Sequence, residues 1–428
     1  MIIRLMKNKI YFIFIICVCL LFPMAISLPS IANTSLVVVA LGIDKVEDEY
    51  ETSIMMLVPK QSGAFNQSLE VISAKGETVR QALNQLSIHT GKRIGLGHCG
   101  MIILNDEALK EDIMKSLDYL IRDTQVDNSC VIVNTNESSK KLLNANKNLK
   151  KLYGIDSAGI LDFLSNYVFL EETNIEEIVN SKLSNNNVSF MAYMVLTDDE
   201  TDGLDVGKKG ESGASSGDTS GGDTSGGGGG ESESGEDGGG QSGEDKKVVS
   251  NLGQISLLLD GKKVAVADEE IMKGLFWLGQ KQSKLEFLLT HYSDENLMDA
   301  DLSFIVKDKS VSKDYKFVGN KPVINLNINA SMKLNEIVSP YEKDLFFVSY
   351  ADYVNDTMKN AIITQVKTEV VNSIQFLIDN KTDIIEAYRG FEKFHYKQWN
   401  TFLDSLTDKK DFLKEIDFNI NVTITSKQ

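Results

Sequence analysis

At 428 residues and a net charge of -17, the chain is long enough for two or three domains with real cores, and its acidity argues against nucleic acid, whose phosphates a negative surface repels. Its four cysteines and four histidines fall into no metal-ligand or redox spacing, and no CxxC, HExxH, GxSxG or Walker sequence occurs. No cofactor, metal or catalytic residue is therefore expected, and interaction is the expected role.

Arg4, Lys7 and Lys9 precede a nearly unbroken apolar run from Ile10 to Leu28, interrupted by Pro23. At about 1.5 Å per residue that run would span roughly 28 Å as a helix, close to the thickness of a bilayer core. Residues 1–32 read as a signal peptide or transmembrane anchor, with everything after them on the outer face. Ser30-Ile31-Ala32 also suits signal peptidase, so cleavage and retention both stand open.

An N-terminal α/β domain is expected over 33–137. Leu36 to Leu41 is too continuously apolar for a half-exposed strand and reads as central. Strands Glu51 to Val58 and Leu69 to Ala74 follow, then a helix over 77–88 with Val79, Ala82, Leu83 and Leu86 on one face. Met101 to Leu104 is a strand, and Asn105 is an N-cap for a helix whose face is Leu109, Ile113, Leu117, Leu120 and Ile121. Cys130 to Val133 is the return strand. Strand, helix and strand in this space form a βαβ unit with parallel strands. Gly95-Leu96-Gly97-His98-Cys99-Gly100 has the letters of a dinucleotide fingerprint but precedes a strand, the wrong context for one.

A middle domain is expected over 138–290. Residues 140–152 begin a more helical region, 160–164 and 175–179 suggest short helices with apolar faces, and Val188 to Leu196 a strand. Between Asp198 and Lys247 the chain holds 14 acidic and four basic residues, 17 glycines and no aromatic. Such a composition cannot bury enough apolar surface to order itself, so 198–247 reads as a disordered insert in a loop. Strands 254–259 and 263–266 then join through Asp260-Gly261, a strong hairpin signal.

The last domain, 291–428, shows clean alternation. Ile324, Leu326, Ile328, Ala330 and Met332 are separated by polar residues, as are Ile416, Phe418, Ile420, Val422 and Ile424. Both read as strands with one buried and one wet face, typical of an antiparallel sheet. A long helix near 352–378 lies between them and should cover that sheet. The fold class is α+β, or mixed α/β: three small domains with mixed or antiparallel sheets covered by helices, behind an N-terminal membrane segment.

Several stretches resemble one family. Gly42-Ile43-Asp44 closes the first strand, and Gly76-Glu77-Thr78 precedes Ala82-Leu83 and Leu86-Ser87. Gly97-His98 enters a strand whose helix closes on Leu117-Asp118-Tyr119-Leu120-Ile121-Arg122-Asp123. Later come Asp268-Glu269-Glu270 with Gly274 and Trp277, then Gln375, Asp383-Ile384, Gly390 and Trp399. In this order they resemble the Ger(x)C family, the C subunits of spore germinant receptors, over about 36–196 and 254–424. The resemblance implies an extracytoplasmic, membrane-attached subunit without enzymatic activity, needed for the response to germinants. It also implies two membrane-embedded partners, the receptor A and B subunits. Its location would be the outer face of the cell membrane, and the inner membrane of the spore where the organism sporulates. The family is usually lipid-anchored through a cysteine. Cys17 and Cys19 lie in the right region, but Ile16 and Val18 precede them where a small residue is expected.

His98, Arg122, Glu270, Gly274, Trp277, Gln375 and Trp399 are thus motif positions for packing and fold. His98 at a strand entry reads as a satisfied structural histidine, Glu270 as a helix N-terminal acid and Trp277 as core. Cys99 and Cys130, near the two strands of the βαβ unit, leave a disulfide and two buried free thiols both open. The other class of function in view is a cell-surface solute-binding or interaction protein unrelated to germination.

Overall fold

The computed structural model describes residues 35–59, 67–123, 125–145, 173–198, 247–250, 254–279, 285–295, 297–339 and 354–426. The apolar leader, the stretch 160–164 and the interior of the acidic insert lie outside them. Among the described residues no helix is long and apolar enough to cross a membrane.

Strands β1 (Ser35–Val46), β2 (Glu49–Pro59) and β3 (Gln67–Gly76) form an antiparallel meander. Helix α1 (Val79–Thr90) follows, its first turn capped by the Thr78 side chain, and it buries Val79, Ala82, Leu83 and Leu86. β4 (Arg93–Gly95) lies parallel to the first part of β1, and β5 (Met101–Asn105) to the second part. β6 (Val131–Thr135) runs parallel to β5, as the βαβ reading requires.

The connection between β5 and β6 differs from the single helix expected after Asn105. A 3-10 turn, Glu107–Leu109, comes first, and α2 (Met114–Arg122) second. Asn105 Oδ1 accepts the Ala108 N–H at 2.9 Å, and Asp112 Oδ1 accepts the Met114 N–H at 3.1 Å. A second polar residue that bonds its own backbone restarts the helix there. Leu109, Ile113, Leu117 and Leu120 still share one buried face.

Helix α3 (Ile175–Leu183) opens with a capping box between Asn174 and Glu177. β7 (Val188–Asp198) extends the sheet parallel to β6, and its outer side pairs antiparallel with β8 (Lys247–Ser250) and β9 (Ile255–Leu259). Asp260 and Gly261, with φ of 54° and 79°, turn β9 into β10 (Lys262–Ala267), the left-handed pair that a two-residue hairpin demands. The result is one ten-stranded mixed sheet in the order β10-β9-β7-β6-β5-β1-β2-β3, with β4 beside β1 and β8 beside β7. It runs straight through the boundary expected at 137. β6 buries its residues too fully to stand at an open edge, and β7 covers it.

Helix α4 (Glu269–Leu278) leads to the second sheet: β11 (Glu286–Tyr292), β12 (Ala300–Val318), β13 (Lys321–Val338) and β14 (Asp417–Ser426), in that spatial order. The boundary expected at 291 falls inside β11. β11, β12 and β13 are antiparallel. β13 and β14, expected to be antiparallel, are parallel: Val323 lies opposite Asp417 and Met332 opposite Ser426. The chain leaves the far end of β13 and returns to its start through α5 (Asp356–Asp379) and α6 (Ala387–Ser405), the helical crossover that a parallel pair needs. Met358, Ile362, Val366, Val370 and Ile374 of α5 are buried in the same core as the sheet. One core lies with α1 and α2 on the first sheet. The other runs from that sheet through α4 into β11–β14, α5 and α6.

Candidate functional site

Two of the motif positions meet at the crossing of α4 and α5. A Cβ on Gly274 would overlap the Glu369 carbonyl and Ser373 Oγ, so only glycine lets the helices come this close. Ser373 Oγ donates to the Ile271 carbonyl at 2.7 Å. Trp277 is fully buried and its indole N–H donates to Glu369 Oε2 at 2.8 Å. Glu369 also accepts from Gln365 Nε2 at 2.9 Å. Beneath α4 the buried Lys309 of β12 donates to the Phe276 carbonyl and lies 3.9 Å from the centre of its ring. Glu270 stands outside this group, exposed in the first turn of α4. Gln375 is exposed on α5 and bonds Asp379 at 2.7 Å. Glu369, Ser373 and Lys309 did not emerge from the sequence, because no local pattern ties them to Gly274 and Phe276.

A second joint forms at the start of α6. Asp383 is almost fully buried and accepts the Ala387 and Tyr388 N–H groups at 2.8 and 2.7 Å. Asn186, just before β7, donates to its carbonyl and carboxylate at 3.1 and 3.2 Å. Burial pushes the Asp383 carboxyl up to about 7, against the pull of those N–H donors. Asn185 reaches Glu392 at 2.9 Å, and Lys410 pairs with Asp260 at the β9–β10 turn. A cleft of about 800 Å³ lies over this joint, lined in part by Asn185, Tyr388 and Arg389. Deeper in, Trp399 is fully buried and stacks on Phe391 at 4.9 Å. A Cβ on Gly390 would strike the Tyr315 ring.

The third group sits at the start of β5. His98 is exposed in a turn and bonds no described residue, which corrects the expectation of a satisfied structural histidine. The turn leaves its ring in solvent while the next side chain, Cys99, goes inward. Cys99 and Cys130 are buried and free, with Cys130 Sγ donating to Cys99 Sγ at 3.9 Å. The hydrogen bond from Cys130 holds the Cys99 thiol below the usual range, and the same bond together with burial pushes Cys130 up. Arg122 pairs with Asp118 at 2.8 Å one turn back on α2, both exposed. At the other end of the strands, buried Asp44 accepts the Ser139 N–H at 2.9 Å and the Ser138 hydroxyl at 2.8 Å, fixing the helical residues 139–145 onto β1.

These residues join elements to one another; they do not converge on a shared reacting centre. Among the described residues no group of three His, Cys, Asp or Glu side chains is placed to hold a metal ion. His89 ends α1 in solvent, His291 pairs with Asp299 at 2.8 Å, and His395 bonds the Tyr315 carbonyl at 2.7 Å inside a kink of α6. The α4–α5 crossing and the Asp383 joint connect elements that are distant in sequence.

Two family models match the chain in tandem. One, described as spore germination protein N-terminal domain, matches residues 31–196. The other, described as spore germination B3/GerAC like, C-terminal, matches residues 254–428. The acidic insert falls between them. A search of curated proteins gives no match. Among solved structures, the crystal structure of the GerBC protein matches at 13% identity and a TM-score of 0.47, over 91% of this chain and 97% of that one.

Proposed function

This chain belongs to the Ger(x)C family of spore germination proteins, and we propose that it is the C subunit of a germinant receptor, attached to the membrane and facing outward. The observation that carries the reading is the order of the matches. Both domains of the family are present, in sequence, and the single long interruption is a polar insert that leaves and re-enters one sheet at neighbouring points, Asp198 beside Lys247.

The role is one of interaction. Its two interlocked sheets offer surfaces to membrane-embedded A and B subunits, and the leader at residues 1–32 supplies the attachment. Tethering confines the folded part near those partners and raises its effective concentration. A solute-binding protein with two similar lobes is less well matched, since a ten-stranded mixed sheet and a four-stranded sheet are unlike halves.

Deletion of the gene tests the proposal. Growth and spore formation should be unchanged, and the response to the germinants that use this receptor should be lost. Release of residues 33–428 as a soluble protein should impair the same response. A deletion strain that germinates normally with every germinant would overturn the reading.

A further inference from the structure

Two sulfurs face each other in the core beneath α1 and α2. Cys99 and Cys130 are the only cysteines beyond the leader, and their Sγ atoms are 3.9 Å apart. Their neighbours set this closeness, since Val131 lies opposite Met101 in the ladder and the Val131 N–H donates to the Gly100 carbonyl. Neither cysteine is itself in a strand. The Cys99 N–H closes a turn onto Leu96, and the Cys130 N–H closes one onto Asp127. The Gly100 N–H is itself held by the Val39 carbonyl, so the approach of the sulfurs to the roughly 2.05 Å of a bond falls to the two cysteine side chains and their turns.

We propose that Cys99 and Cys130 are a redox pair that closes to an intramolecular disulfide on the outer face of the membrane, fastening the turn that presents His98 to the turn that starts β6. The proposal rests on the outward-facing reading above, because such bonds persist in oxidising compartments. The oxidant is a small-molecule or protein disulfide. Cys99, as thiolate, attacks one of its sulfurs; that S–S bond breaks and the first thiol leaves. Cys130 then attacks Cys99 Sγ in the mixed disulfide, forms the Cys99–Cys130 bond and expels the second thiol. Two cysteine thiols lose two electrons, the partner disulfide gains them, and its two sulfurs carry the two protons away. Cys99 is the better first nucleophile, since the hydrogen bond from Cys130 favours its thiolate. Both sulfurs are shielded from solvent, so closure accompanies folding or a local opening.

The test uses the full chain in its membrane. Intact cells are treated with a permeant alkylating reagent, and the protein is digested without reduction and mapped for the peptides carrying Cys99 and Cys130. Surface protease reports in parallel whether the 198–247 insert is reachable. In a second arm, the purified, reduced full chain is titrated with oxidised glutathione. The expected result in both arms is one linked peptide pair, lighter than the two thiol peptides by two hydrogens. Reduction should also lower the thermal midpoint of the wild type and leave that of Cys130→Ser unchanged. Alkylated Cys99 and Cys130 in a chain that the protease reaches would overturn the proposal, as would glutathione adducts that never resolve in the second arm. Alkylated cysteines in a chain the protease cannot reach, with ready closure in the second arm, would support the pair's chemistry and overturn the outward placement.

Discussion

The indole N–H of Trp277 on α4 meets Glu369 Oε2 on α5 at 2.8 Å, 92 positions away in sequence. Gly274, one turn before Trp277, is what permits it, since any side chain there would collide with Glu369 and Ser373. The two residues act as lock and clearance for one crossing. That crossing joins the end of the first sheet to the helix that covers the second.

Gly274→Ala should therefore destabilise, although helix propensity alone predicts the opposite sign. Alanine favours a helix over glycine by about 1 kcal/mol, but overpacking at a closed contact costs about 1–3 kcal/mol, and here backbone stands in the way. Trp277→Phe should cost a similar amount by another route, because a hydrogen bond to a charged group contributes about 1.5–3 kcal/mol. Urea denaturation of both variants checks this. A Gly274→Ala protein as stable as the wild type would mean that the helices part without loss.

Asp383 gives the pH dependence a sign. Burial raises its carboxyl to about 7, whereas an unfolded aspartate titrates near 3.9. The folded state thus holds a proton that the unfolded state has lost. Its contribution to stability is fully present below about pH 4 and is lost as pH rises through about 7. Asp44, raised mainly by burial, acts in the same direction. The thermal midpoint should fall between about pH 5 and 7.5, and less steeply in Asp383→Asn. Equal slopes for the two proteins would show that the N–H donors keep Asp383 ionised throughout.

Much of the sheet architecture could be read from pattern alone. Continuous apolar runs marked β1, β5 and β6, and alternation marked β13 and β14. β12 was hidden by its own exceptions. A register shift between Val306 and Asp308 changes the side-chain alternation, and Lys309 occupies a buried position that a sequence reading assigns to solvent. The direction of β14 was hidden too, since an alternating strand has the same pattern whichever way its neighbour runs. At the joints only one partner of each pair carries a local signal. Gly274, Gly390 and Asp383 invite attention, but Glu369, Tyr315 and Asn186 are ordinary until the fold brings them into contact.

His98 and Glu270 should be tolerant of change. Both are exposed, and surface substitutions away from special features usually fall within about ±0.5 kcal/mol. His98→Ala and Glu270→Ala should melt with the wild type in calorimetry. A fall of several degrees in either would mean that the residue supports packing that the exposed position does not suggest.

The acidic insert should be removable at a defined pair of points. β7 and β9 form one antiparallel ladder from Val188 opposite Leu259 to Ala192 opposite Ile255, and β8 carries the pairing on to Asp198 opposite Lys247. Residues 199 to 246 therefore connect two ends of the ladder that already face each other. Replacing those residues by Asn-Gly matches the two-residue turn that such a ladder accepts. Each halving of loop length also recovers about 0.6 kcal/mol of closure entropy. The shortened protein should fold, keep or slightly raise its thermal midpoint, and lose 10 units of the net negative charge, since 199–246 carries 13 acidic and three basic residues. Calorimetry and ion-exchange elution measure the two effects. A drop of several degrees would show that the insert packs against the folded part, and would place part of the stability in a segment that its composition marks as solvated.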